Sequence, residues 1–130
     1  MAYIVVIDSE ETVRSVIARI LEFKGGYTVR ATGEFTQALE WVREKLPDLV
    51  VTNVFLRGIA GHDAMRKLRS EFPELPVLMV SGLPDESVIR DWIGETRFDI
   101  FPKPFTCDHL LEKVRQMIRP SGPRNAKPDT

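Results

Sequence analysis

Five short apolar runs rich in strand-forming residues alternate with five stripes of helical period, and this alternation constrains the fold more than any other feature of the chain. The runs are Tyr3-Ile4-Val5-Val6-Ile7, Tyr27-Thr28-Val29-Arg30-Ala31, Leu49-Val50-Val51-Thr52, Val77-Leu78-Met79-Val80 and Phe98-Asp99-Ile100-Phe101. Continuous runs suit strands buried on both faces of a parallel sheet, whereas the alternation in 27–31 suits an edge strand with one wet face. Between them lie stripes with a 3–4 residue period: Val13, Ile17, Ile20 and Leu21; Phe35, Leu39, Val42 and Leu46; Ala64, Met65, Leu68 and Phe72; Val88, Ile89, Trp92 and Ile93; and Leu110, Leu111, Val114, Met117 and Ile118. Each stripe lays one helical face on a sheet. Strand and helix in strict alternation predict a three-layer α/β domain with right-handed crossovers. The punctuation agrees. Gly25-Gly26 can close the first helix in a left-handed cap, Pro47 and Pro73 follow the next two, and Thr106 is placed to cap the last.

Composition narrows the function classes. A chain of 130 residues, 43% hydrophobic and 28% charged, is globular and makes one domain. Residues 1–119 are assigned to it. Residues 120–130, with three prolines and no large apolar side chain, read as a disordered tail or linker stub. Eighteen basic against nineteen acidic residues leave a net charge of -1, which removes the bulk electrostatic case for direct nucleic acid binding. Cys107 has no second cysteine to pair with, and beside His62 and His109 it makes no metal-ligand cluster. The apolar runs are too short to span a membrane, and Met1 leads almost directly into a strand, so a cytoplasmic setting is expected.

Chemistry in an open parallel sheet belongs beyond the carboxyl ends of the strands. Four of the runs end on Asp8, Asn53, Ser81 and Lys103, which the sheet would gather along one edge. One polar residue ending a strand is commonplace; a carboxylate, an amide, a hydroxyl and an ammonium in register suggest an oxyanion or phosphate site. In order and spacing, Ile4-Val5-Val6-Ile7-Asp8-Ser9-Glu10, Pro47-Asp48-Leu49-Val50-Val51-Thr52-Asn53, Pro76-Val77-Leu78-Met79-Val80-Ser81-Gly82 and Lys103-Pro104-Phe105 resemble the receiver domain of bacterial two-component response regulators over residues 3 to 119. The resemblance implies a flavodoxin-like, CheY-like α/β/α sandwich. Its five-stranded parallel sheet has order 2-1-3-4-5, with two helices on one face and three on the other. It also implies an acidic pair after the first strand that holds Mg²⁺, and an aspartate ending the third strand that takes a phosphoryl group from a histidine kinase. A Ser or Thr at position 81 would bond the phosphoryl oxygens, and the lysine at 103 would neutralise them.

The chain departs from that pattern where the chemistry is done. Asn53 stands at the phosphoacceptor position, and a neutral amide oxygen is a poor nucleophile that cannot yield an acyl phosphate. Ser9 breaks the acidic pair between Asp8 and Glu10. Mg²⁺ prefers carboxylate oxygens, so a site left with Asp8, Asn53 and the Phe55 carbonyl is expected to hold it weakly, with Glu10 compensating only in part. Ile100 replaces the aromatic residue that accompanies the switch in the family. Gly94-Glu95-Thr96-Arg97 replaces a small-residue turn, and Trp92 stands where a small residue is common, so the fourth helix and its exit are expected to be unusual.

The leading expectation is a non-enzymatic signalling module with a degenerate phosphoacceptor. The same substitution at 53 also fits a conventional receiver silenced by an engineered Asp-to-Asn change, although Ser9, Ile100 and the altered turn are not needed for that. An unrelated flavodoxin-like enzyme is the third reading. It lacks support: Met79-Val80-Ser81-Gly82-Leu83 is no nucleophile elbow, and no Gly-x-Gly-x-x-Gly follows the first strand. His62 and His109 read as solvated surface residues, and Cys107 as an ordinary first-turn residue. By the resemblance, the partner is a protein met through residues near 85–119: a histidine kinase, an output domain or a twin subunit in a homodimer.

Overall fold

The computed structural model describes residues 2–53, 55–56, 59–81, 98–102 and 105–118. The stripe at 88–93, the segment 94–97, Lys103, Pro104 and the tail from 119 lie outside them. Strand β1 (Tyr3–Ile7) leads into α1 (Glu11–Arg19), which continues as a π-helical turn over Ile20–Lys24. There follow β2 (Thr28–Thr32), α2 (Phe35–Glu44), β3 (Leu49–Asn53), a hairpin of β4 (Phe55–Leu56) and β5 (Ile59–Ala60), α3 (Gly61–Glu71), β6 (Val77–Ser81), β7 (Phe98–Pro102) and α4 (Cys107–Ile118). The main sheet has the order β2-β1-β3-β6-β7 with every pair parallel. Counted within that sheet, this is the 2-1-3-4-5 order of a flavodoxin-like fold.

The pleat divides the core in two. Tyr3, Val5, Ile7, Val50, Val77, Met79 and Phe98 meet α2 and α3 through Phe35, Ala38, Leu39, Val42, Ala64, Met65 and Leu68. Ile4, Val6, Leu49, Val51, Leu78 and Val80 meet α1 and α4 through Ile17, Ile20, Leu21, Leu110, Leu111 and Val114. Consecutive residues of β1 and β3 are buried on both sides, which is why those runs carry no polar alternation. β2 alternates because it is an edge strand.

Three local features differ from the periodicity. The first helix ends in a wider turn: the Gly25 N–H reaches the Ile20 carbonyl at 3.1 Å, five residues back, before Tyr27 N–H closes on Leu21 O at 3.1 Å. The closing residue is Gly26, in the left-handed region at φ 74°, as the glycine pair suggested. Leu46 does not belong to the second stripe. α2 stops at Glu44, Lys45 is extended at φ -151°, and Leu46 is left 58% exposed. The β4–β5 hairpin was not foreseen, because two-residue strands carry no measurable period. The expected cap on the last helix is present, with His109 N–H donating to Thr106 Oγ1 at 3.1 Å.

Candidate functional site at the strand ends

Register brings the sequence-predicted residues to one edge. Ile7 pairs with Thr52, Asn53 with Val80, and Ser81 with Pro102, so Asp8, Asn53 and the end of β6 lie along the carboxyl end of the sheet. Asp8 is held there by its own N–H, which donates to the Thr32 carbonyl at 3.1 Å. Both Asp8 and Asn53 are buried, at 2% and 9% exposure. A buried carboxylate must be satisfied. Asn53 Nδ2 lies 3.3 Å from Asp8 Oδ1, and the Glu10 N–H donates to the same oxygen at 2.9 Å. An ionised carboxylate only accepts, so the amide meets it with its NH₂ end.

Glu10 contributes its backbone here, in a tight Asx-type turn at the start of α1, and its side chain is exposed. Ser9 is half-buried between Asp8 and Glu10. Sequence reasoning missed Arg14, whose guanidinium donates to the Asp8 carbonyl at 2.8 Å. It reaches there beside Gly33: a Cβ at that glycine would stand 2.7 Å from Arg14 Nη1. The only sequence signal was an arginine in the second turn of a helix that starts at the site.

Of the remaining candidates, Ser81 ends β6, Phe55 opens β4 two residues beyond Asn53, and Lys103 lies outside the described residues. Ile100 is half-buried against the α2–α3 side of the core. Among the described residues the donor set for a hard divalent ion holds one buried carboxylate, Asp8, and one of its oxygens already accepts two N–H bonds. Among the described residues no three His, Cys, Asp or Glu side chains are grouped to hold a metal. No described helix is long and apolar enough to cross a membrane.

Comparison with known proteins agrees with this geometry. Residues 4–115 match the family model of the response regulator receiver domain. The chain is 31% identical over 123 residues to the response regulator MprA of Mycobacterium leprae (strain TN), covering 95% of this chain and 54% of that protein. It is 32% identical over 116 residues to MprA of Mycobacterium ulcerans (strain Agy99), covering 89% and 50%. It thus spans about half the length of these relatives. Among solved structures, the receiver domain of NtrX from Brucella abortus superposes with a TM-score of 0.82 at 28% identity, covering 91% of this chain and 99% of that one. A receiver domain protein from Clostridium thermocellum does so at 0.81 and 25%, covering 92% and 95%. Strand order, the polar residues gathered at the strand ends and the family match over 4–115 lead to one conclusion: the chain belongs to the response regulator receiver domain family of two-component signalling.

Proposed function

We propose that this receiver is an interaction module that does not carry phosphate. The observation behind the proposal is the Asn53 amide, 3.3 Å from the Asp8 carboxylate at the place where the family's nucleophile stands. An aspartate there would set two carboxylates side by side, a repulsion that a bound cation relieves. With Asn53 and Ser9 in their places, Asp8 is satisfied by N–H groups, Mg²⁺ binds weakly, and Ser81 and Lys103 have no phosphoryl group to read. Asp8 then serves the structure of the edge.

Signalling in this reading passes through protein contacts at residues near 85–119, of which β7 and α4 are described. Between them Phe101, His109, Glu112, Lys113 and Gln116 line a shallow cavity of about 260 Å³. That is small for a metabolite pocket and suits a side chain of a protein partner: a histidine kinase, an output domain or a second copy of the chain. The domain ends near 119, with 120–130 as a tail or linker stub, and works in the cytoplasm without enzymatic activity of its own.

The test is restoration. Asn53→Asp returns the nucleophile but not the second acid, so the variant labels slowly with acetyl phosphate and Mg²⁺ and is slightly less stable than the parent near neutral pH. Adding Ser9→Asp raises both the labelling rate and the Mg²⁺ dependence. Rapid labelling of Asn53→Asp alone would show that only one residue blocks a working site, as in an engineered silencing, and would overturn the proposal of a degenerate pocket.

A further inference from the structure

β7 is the last strand of the sheet, and an edge strand offers unpaired N–H and C=O groups on which another strand can pair. Along a strand these groups alternate between the two sides. The Ile100 N–H donates to its neighbour's carboxylate, Asp99 Oδ1, at 2.8 Å, and so faces away from β6. By alternation Phe98 and Pro102 face the open side with it. Proline has no N–H, and in sheets it is found on edge strands with that side turned outward. Of three outward positions, one lacks a donor and one has its donor taken. The carboxylate that takes it is itself held: Asp99 Oδ2 lies 2.6 Å from Lys113 Nζ on α4. Asp99 and Lys113 side chains are 38% and 26% exposed, so the pair is partly shielded where it meets the strand.

We infer that Asp99, Lys113 and Pro102 form a guard that closes the β7 edge to strand addition, leaving this face able to meet a partner only through side chains. The pair does more here than a surface ion pair ordinarily does, because one carboxylate oxygen caps a backbone donor while the other is pinned by a second element. The guard also explains a charged residue within an otherwise apolar run.

The experiment uses the full 130-residue chain and reads two quantities. Residue-resolved hydrogen exchange at low protein concentration reports the Ile100 amide: Asp99→Ala should speed its exchange about tenfold, the loss of one charge-assisted hydrogen bond. Asp99→Asn, which keeps an acceptor oxygen, should leave it near the parent. Lys113→Ala, which leaves the sequence of β7 untouched, should speed it less than Asp99→Ala. Sedimentation velocity across a concentration series then reports the edge itself. The Asp99→Ala/Pro102→Val variant should form species larger than any the parent forms, rising with concentration, with new exchange protection confined to 98–102. Unchanged Ile100 exchange in both Asp99→Ala and Lys113→Ala would overturn the cap. A double variant that keeps its fold by circular dichroism and matches the parent's size distribution throughout would overturn the guard.

Discussion

Asp8 is almost fully buried, and the two N–H groups on its Oδ1 decide what the pocket can do. A carboxylate satisfied by an amide and a backbone N–H has little to gain from a cation that must first shed water. Titration with Mg²⁺ should therefore leave the Asp8 and Glu10 amide resonances without a saturable shift below about 1 mM, the range in which modest carboxylate sites fill. Saturation there would show that Glu10 swings in to rebuild the site. The positions of Asp8, Asn53 and Ser81 were legible in the sequence because a polar residue ending an apolar run marks where a strand leaves the sheet. Arg14 was not legible. Its role depends on reaching past Gly33 to a carbonyl, and a helix pattern records only which face is apolar.

Elements were legible wherever period and length were sufficient. Four stripes fall on the described helices, except that Leu46 and Phe72 lie just past the ends of α2 and α3, and all five strand runs lie within two residues of their observed bounds. The π-helical turn at Ile20–Lys24 escaped because one extra residue per turn is invisible in a short stripe, yet it leaves Phe23 82% exposed. Its closure depends on Gly26, whose φ of 74° an L side chain adopts at a cost of about 1 kcal/mol. Gly26→Ala should lower stability in urea by roughly that amount with an unchanged denaturant slope. No loss of stability would mean that the closing turn relaxes without the left-handed residue.

On the α2–α3 side of the molecule, the two helices are tied by a bidentate pair that no sequence period could announce, since its partners are 28 residues apart. Arg43 Nε and Nη2 donate to the two Glu71 oxygens at 2.8 and 2.6 Å, and Lys67 approaches Glu71 at 3.8 Å. The hydrogen bond from Arg43 holds the Glu71 carboxyl below its ordinary value of 4.5, with the charges of Arg43 and Lys67 adding to it and burial opposing. A carboxyl depressed in the folded state stabilises the fold above its unfolded pKa and loses that contribution as pH falls through the folded value. The stability gap between the parent and Arg43→Ala should thus be full at pH 7 and shrink progressively below about pH 4.5. A gap that stays constant into acid would assign the effect to packing by the arginine stem instead.

The central proposal is that a receiver fold with an amide at its nucleophile position signals without accepting phosphate. The most direct measurement is the intact mass of the unaltered chain after incubation with acetyl phosphate and Mg²⁺. The account predicts a mass identical to the untreated protein, because the Asn53 amide oxygen cannot form an acyl phosphate. A stoichiometric phosphoryl adduct released by hydroxylamine would contradict it.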